Sequence, residues 1–134
     1  MRVFLDTNVL IAAFVSHGAC KELFEHCITT HNVFISPFIL KEFEDKLTGK
    51  LKFPGKIVCD AIRYLKSTLH VVNAELLEVS VCRDPDDDAI LAGAIAANVN
   101  CIITGDEDLL VLESYEGIAI IKPKDFWQFE KKDK

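Results

Sequence analysis

Val3-Phe4-Leu5-Asp6 is a short run of large apolar residues that ends in a carboxylate, and Cys101-Ile102-Ile103-Thr104-Gly105-Asp106 has the same character near the other end of the chain. Apolar runs of this length are typical of strands that are buried on both faces of a parallel sheet. Because ligands of open α/β sheets bind beyond the carboxyl ends of the strands, parallel strands would bring Asp6 and Asp106 into one crevice. Acids gathered in one crevice suggest a metal site.

Segments of strand and helix type alternate along the rest of the chain. Val33-Phe34-Ile35 is a second candidate strand, and the Ser36-Pro37 pair after it suits the start of a helix. Apolar periodicity predicts helices at 9–14, 23–28, 37–47, 57–69, 89–97, 109–112 and from 123 onwards, strands at 101–103 and 118–121, and short extended segments at 71–72 and 76–81. This alternation predicts one α/β domain over residues 1–130, a Rossmann-like three-layer α/β/α sandwich with a central, mainly parallel sheet. The basic residues at 131–134 are expected to fray.

The composition agrees with one soluble domain. A chain of 134 residues with 50% hydrophobic content can bury a core. Its five cysteines have no CxxC pair and no regular spacing, which favours reduced intracellular thiols over a disulfide framework. The sequence has neither a basic leader nor an apolar run of about 18 residues, so we expect a cytoplasmic protein without membrane contact.

The formal net charge of −6 disfavours a nucleic-acid binder when it is taken alone, because the neutralisation of phosphates requires lysine and arginine. Many of the acids are concentrated in Asp84-Pro85-Asp86-Asp87-Asp88 and in Asp106-Glu107-Asp108. A single aspartate is enough to cap a helix, whereas four within five residues repel each other unless water or a cation neutralises them. Bound cations would make such a site much less negative.

Glu42 is a third acid of interest. It follows the second candidate strand, and its neighbour Phe43 belongs to the apolar stripe of the predicted helix. Its side chain could therefore lean towards the sheet. The competing interpretation places Glu42 on a solvated face together with its charged neighbours Lys41, Glu44, Asp45 and Lys46.

Four motifs stand in order along the chain, and a tail segment follows them. They are Val3 to Ile11 with its Asp-Thr-Asn, Ser36 to Glu42, Asp84 to Ala92, and Thr104 to Leu109, followed by Ile121 to Phe126. Together they resemble the PIN-domain ribonuclease family, and in particular the toxin components of prokaryotic type II toxin–antitoxin pairs (VapC-like). The resemblance covers nearly the whole chain and implies a PIN-like fold.

The resemblance implies catalytic, metal-binding acids at Asp6, Glu42 and Asp106. The run of aspartates leaves the register of the third motif open. Asp88 fits the family pattern best because it stands three residues before Leu91, although Asp87 or Asp84 could take part. The resemblance also implies groups that support these acids or orient the substrate, namely Thr7, Asn8, Asp84, Thr104 and Asp108.

Clustered carboxylates cannot all remain ionised without a compensating charge, which Mg²⁺ or Mn²⁺ could supply as hard cations that prefer oxygen ligands. The reaction that the resemblance implies is hydrolysis of RNA phosphodiester bonds by water activated by one or two such ions. The family also implies a cognate antitoxin partner and a homodimer, whose surface would come from the helices between residues 37 and 70. Phe38, Phe53 and Tyr64 could contribute to this surface, with core packing as the competing interpretation.

The lysines near the glutamate helix could hold RNA, or they could mark a solvated connection between helices; they are Lys41, Lys46, Lys50, Lys52 and Lys56.

A haloacid-dehalogenase-type phosphatase would need Asp-x-Asp where this chain has Asp6-Thr7-Asn8. A receiver domain would need an early acidic pair and a late lysine, and nucleotide-binding glycine motifs are lacking. The strongest alternative is a PIN-like RNA-binding or scaffolding domain without effective catalysis. The four histidines, His17, His26, His31 and His70, are expected to be isolated surface or helix residues.

Overall fold

The structure, a computed structural model, describes residues 1–16 and 18–132. The strands are Arg2–Leu5 (β1), Asn32–Ile35 (β2), His70–Val71 (β3), Cys101–Ile103 (β4), Ser114–Tyr115 (β5) and Ile118–Ile121 (β6). The helices are Thr7–Val15 (α1), Ala19–Thr30 (α2), Pro37–Asp45 (α3), Gly55–Thr68 (α4), Pro85–Ala97 (α5), Glu107–Leu110 (α6) and Phe126–Lys132 (α7). A π-helical turn, Lys46–Lys50, extends α3, and a 3₁₀ turn, Pro123–Asp125, precedes α7.

One six-stranded sheet forms the centre of the domain, in the order β3-β2-β1-β4-β6-β5. All neighbouring strands are parallel except β5, which runs antiparallel to β6 at one edge. The prediction of a mainly parallel sheet between helices, in a three-layer α/β/α arrangement, is confirmed. Because β1 lies between β2 and β4, the carboxyl ends of these three strands open towards the same edge.

The central strands are apolar because helices cover both of their faces. Val3, Phe4 and Leu5 of β1 have no exposed surface, and the three residues of β4 are equally buried. Helix α5 passes so close to the sheet that a Cβ at Gly93 would lie 2.8 Å from Cζ of Phe4. The amino end of α5 lies at the carboxyl edge of the sheet, where Asp87 meets Asp106.

The segment at 76–81 differs from its predicted extended structure. It forms bends and unstructured chain, and Leu76 and Val79 are 87% and 68% exposed. An alternating pattern becomes a strand only where a neighbouring strand accepts its backbone hydrogen bonds, and β3 ends at Val71. The predicted extended segment at 71–72 corresponds in part to β3.

In the basic tail, α7 continues through residues 131 and 132, while 133 and 134, which complete the segment expected to fray, lie outside the described residues. Glu130 on this helix contacts the rings of His26 and His31. The expectation that these two histidines are isolated is therefore wrong. His70 is exposed and stacks on Phe34, and His17 lies outside the described residues. Within residues 1–16 and 18–132, the helices are too short or too polar to cross a bilayer.

Candidate metal centre

Asp6 and Asp106 face one crevice at the carboxyl edge of the sheet. Leu5 pairs with Ile103, and the Asp6 amide donates a 3.1 Å hydrogen bond to the Ile103 carbonyl, so the ends of β1 and β4 lie side by side. The Thr104 hydroxyl donates to Asp6 Oδ2 at 2.6 Å and accepts from the Asp106 amide at 3.0 Å. Thr104, which is fully buried, thus joins the two acid-bearing turns.

Glu42 leans towards the sheet and joins this group through Thr7. The Thr7 hydroxyl donates to Glu42 Oε1 at 2.6 Å, and the Thr7 amide donates to Asp6 Oδ1 at 2.6 Å. Helix α3 is set in place by Ser36, whose hydroxyl accepts from the Ile39 amide at 3.4 Å as an N-cap. Of the two interpretations of Glu42, the geometry therefore favours the side chain that faces the sheet.

The aspartate side chains between residues 84 and 88 point in different directions. Asp84 accepts from the Asp86 amide at 2.9 Å and so caps α5. Asp88 accepts from the Cys82 amide at 2.8 Å and the Val81 amide at 3.2 Å, so that its carboxylate fixes the preceding loop. Neither contact involves another acid of the crevice.

Asp87 is the member of the run that the structure brings beside Asp106. It is only 4% exposed, and one of its carboxylate oxygens forms a group with one oxygen of Asp106 and one of Asp108, the three atoms lying within 4.8 Å of one another. Consecutive residues of a helix point about 100° apart, and accordingly Asp87 faces Asp106 while Asp88 turns to the Val81 and Cys82 amides. The family pattern had favoured Asp88, whereas the geometry favours Asp87.

A sequence signal for Asp87 was available. Asp87 precedes Ile90, Leu91 and Ala94 by three, four and seven residues, which is the spacing of one helix face. These three residues are buried against the sheet. The apolar face of α5 therefore points Asp87, rather than its neighbours, towards the strand ends.

The acids of the crevice are poorly compensated by protein charge. Burial, followed by a hydrogen bond with Asp106 and repulsion from Asp106, Asp84 and Asp6, raises the pKa of Asp87 to about 7. Burial also raises the pKa of Asp6, although the hydrogen bonds from Thr104 and the Thr7 amide oppose this shift. The pKa of Glu42 is raised by burial as well, against the opposing effects of Thr7 and Lys46. A divalent cation would supply the missing positive charge.

Two basic side chains border the crevice. Lys46 Nζ donates to Asn8 Oδ1 at 2.8 Å, and its charge partly opposes the rise in the pKa of Asp6 and Glu42 that burial causes. Arg83 Nη2 donates to Asp108 Oδ1 at 2.8 Å from a largely exposed position. Sequence reasoning missed Arg83, whose place directly before the aspartate run was the available signal.

The donor atoms at the carboxyl edge fit a hard divalent cation. The side chains that converge there present carboxylate oxygens, which Mg²⁺ and Mn²⁺ prefer over nitrogen or sulfur. Asp87, Asp106 and Asp108 form the closest group, and Asp6 and Glu42 are linked to it through Thr104 and Thr7. Among the described residues, this group and the His26–His31–Glu130 cluster are the two that could hold a metal ion.

Replacing Thr104 with valine should lower the free energy of unfolding by about 1–3 kcal/mol, because Asp6 Oδ2 and the Asp106 amide lose their shared hydroxyl partner. Urea unfolding monitored by circular dichroism measures this change. Thr104→Ser keeps the hydroxyl and should retain most of the stability. A loss in Thr104→Ser as large as that in Thr104→Val would contradict this account, because Thr104→Ser keeps the hydroxyl and lacks only the γ-methyl group.

Comparison with known proteins agrees with this architecture. A family model described as PIN domain matches residues 2–108. The solved structure of VapBC2 from Rickettsia felis, bound to a DNA fragment from their promoter, superposes with a TM-score of 0.63 at 16% identity, covering 90% of this chain and 97% of that one. A toxin–antitoxin complex from Klebsiella pneumoniae gives a TM-score of 0.62 at 20% identity, with coverages of 90% and 97%.

Mycobacterium tuberculosis VapC20, described as a sarcin-ricin loop cleaving toxin, gives a TM-score of 0.60 at 15% identity and covers 87% of this chain and 98% of that one. At these identities the likeness establishes the shared fold. No curated protein sequence matches the chain at a significant level.

Proposed function

The chain belongs to the PIN domain family, and from this premise we propose that it is a ribonuclease that hydrolyses RNA phosphodiester bonds with bound Mg²⁺ or Mn²⁺. The proposed ligands are Asp6, Glu42, Asp87 and Asp106. The observation that carries the proposal is the buried carboxyl of Asp87 beside Asp106, with its pKa raised to about 7. Repulsion between a buried acid and a half-buried acid beside it is relieved most directly by a cation.

Bound metal would activate water for attack on phosphorus and stabilise the negative charge that develops in the transition state. The protein's own contribution is to hold the acids in place. Thr7 and Thr104 donate to different oxygens of Asp6 and thereby fix the plane of its carboxylate. Thr7 also orients Glu42, and the Asp108 amide orients Asp106 at 2.9 Å. In this proposal Asp88 is not a metal ligand; its carboxylate holds the loop before α5 in place.

The RNA backbone is proposed to lie along an open groove next to Glu42. Lys41 and Lys46 line this groove together with Phe38 and Asp86. Lysine ammonium groups bind phosphates through charge, and an aromatic ring can stack on a base. Lys41 Nζ lies 3.6 Å from Asp45 Oδ1, and both side chains are exposed. Because an exposed ion pair contributes little stability, a phosphate could replace Asp45 as the partner of Lys41.

A cognate antitoxin is the proposed protein partner, since two of the similar solved structures are described as VapBC or toxin–antitoxin complexes. A cleft of about 380 Å³ between α1, α2 and α4 supports a docking role. Phe14 and Tyr64, which are 40% and 50% exposed, lie in its wall.

A homodimer and a cytoplasmic location are also part of the proposal. Phe53, one of the aromatics expected at the dimer surface, packs edge-on against Phe14 with ring centroids 5.8 Å apart.

The ribonuclease proposal is tested by incubating the purified chain with single-stranded RNA and with structured RNA loops. We expect cleavage with Mg²⁺ or Mn²⁺ and none with EDTA. Cleavage that persists in EDTA would exclude the metal mechanism. RNA binding without metal-dependent cleavage, across varied substrates, would instead support the scaffolding alternative.

The toxin role requires a separate test in cells. Induced expression of the chain alone should arrest growth, and co-expression of the product of the neighbouring small reading frame should restore it. Growth that is unaffected by expression of an active ribonuclease would contradict the toxin role while leaving the catalytic proposal intact.

A further inference from the structure

A second group of metal-binding side chains lies at the amino edge of the sheet. His26 on α2, His31 between α2 and β2, and Glu130 on α7 come together there. Glu130 Oε2 lies 2.6 Å from Nε2 of His26 and 2.5 Å from Nε2 of His31. Three ligand atoms from three separate segments therefore converge on one point.

This cluster is independent of the carboxylate crevice. His31 directly precedes β2, whereas the acids follow the carboxyl ends of the strands, so the two groups occupy opposite edges of the sheet. Glu130 also lies beyond residues 2–108, which the family model matches. The proposed ribonuclease reaction gives the cluster no role.

We propose that His26, His31 and Glu130 bind a Zn²⁺ ion through the two Nε2 atoms and a carboxylate oxygen of Glu130. Two imidazole nitrogens and one carboxylate form a ligand set that Zn²⁺ uses in proteins, with the fourth position open to water. The side chains of His31 and Glu130 are 8% and 17% exposed, and that of His26 is 31% exposed. The site is thus shielded by protein on the side of His31 and open to solvent on the side of His26.

The aromatic residues around the cluster hold the two rings in place. The ring of Trp127 packs on His26 with centroids 4.8 Å apart, and Phe126 contacts His31 edge-on at 5.7 Å. Neighbouring ligand atoms around tetrahedral zinc lie about 3.3 Å apart, so Glu130 must move outward slightly to admit the ion. It can do so because the Glu130 side chain is only half-buried, on α7.

Metal binding changes the hydrogen-bonding state of His31. Its Nδ1 lies 3.0 Å from the Met1 amino group, so without metal Nδ1 accepts from the amine and Nε2–H donates to Glu130. Ligation at Nε2 moves the ring proton to Nδ1, and the amine at the first residue must then turn away. This change of tautomer is a specific signature that a purely structural hydrogen-bonded clamp does not produce.

The two metal sites should differ in the ion that they prefer. Imidazole nitrogen suits Zn²⁺ and is a poor ligand for Mg²⁺, whereas the carboxylate crevice offers only oxygen. Zinc titration of the full-length, metal-free chain by calorimetry should reveal a site that Asp106→Asn retains. His26→Gln and Glu130→Gln should each weaken zinc binding at that site by at least about 10-fold, since loss of even an outer partner of a metal ligand has an effect of this size. His70→Gln, which alters an exposed histidine on β3, is the matched control and should bind zinc like the unaltered chain.

Nitrogen-15 NMR of the unaltered chain tests the proposal without relying on a variant that fails to fold. Zn²⁺ should shift the Nε2 signals of His26 and His31 and move their ring protons to Nδ1, while Mg²⁺ should leave both rings unchanged. The proposal is overturned if zinc does not perturb these two rings, or if folded Glu130→Gln binds zinc as tightly as the unaltered chain.

Discussion

Asp106→Asn should lower metal-dependent RNA cleavage by at least about 100-fold, because the variant loses a charged ligand of the proposed Mg²⁺ or Mn²⁺ site. Asp106 stands at the centre of the candidate site. Its carboxylate is close to those of Asp87 and Asp108, and its amide is tied through Thr104 to Asp6. The initial rate of cleavage of a labelled RNA, at saturating Mg²⁺ and at several RNA concentrations, measures the effect.

The same substitution should not destabilise the metal-free protein. Replacing the charge removes repulsion from Asp87, which is buried and shares a hydrogen bond with Asp106. The free energy of unfolding in EDTA should therefore stay constant or rise while activity disappears. Asp60→Asn, a change of the same type at an exposed position on α4, should leave activity unaltered. An Asp106→Asn variant that is folded and fully active would remove Asp106 from the mechanism.

The metal-free protein should lose stability as the pH rises from about 4 to about 7, and Asp87→Asn should abolish the part of this loss that belongs to Asp87. The pKa of Asp87 is raised from 3.8 in an ordinary aspartate to about 7, chiefly by burial. A carboxyl with a raised pKa binds its proton more tightly in the folded state, so its contribution is fully present at low pH. That contribution is lost as the pH increases through the folded-state pKa.

The expected size of the effect follows from the shift. Each pKa unit corresponds to about 1.4 kcal/mol, so the change attributable to Asp87 is at most about 4 kcal/mol between pH 4 and pH 8. Urea unfolding of both proteins in EDTA over this range gives the difference directly. Comparing the two proteins cancels opposite contributions from other groups, such as Glu130, whose pKa is lowered by hydrogen bonds from His26 and His31 despite the opposing effect of burial.

Magnesium provides the control for this second prediction. At pH 8 the ion should restore stability to the unaltered chain, because it replaces the lost proton as the partner of Asp87 and Asp106. Asp87→Asn should gain much less from the same Mg²⁺ concentration. Equal stabilisation of the two proteins by Mg²⁺ would show that Asp87 is not a ligand, and a parallel test of Asp88→Asn would then be decisive for the alternative register.

Local patterns in the sequence were sufficient for the four longer strands, β1, β2, β4 and β6, and for part of the site, but not for the edge strand β5. The buried apolar runs of β1 and β4 predicted parallel strands, and the acids after them predicted a shared crevice, because strand polarity fixes where the following residue lies. The Ser36-Pro37 pair also predicted where α3 begins, since helix capping depends on neighbouring residues alone. The prediction of an extended segment at 76–81 was wrong because a strand also requires a neighbouring strand to pair with, which an alternating pattern cannot supply.

The α/β architecture and an acidic crevice at the carboxyl edge could be read from the amino-acid sequence, because both follow from periodicity and chain direction. The tertiary structure places Asp87, and not Asp88, beside Asp106, and this placement depends on how α5 packs against Phe4 and the strand ends. Tertiary contacts also decided that His26 and His31 meet Glu130, about a hundred residues further along the chain. Contacts across such separations are set by how whole helices pack, and no local pattern encodes them.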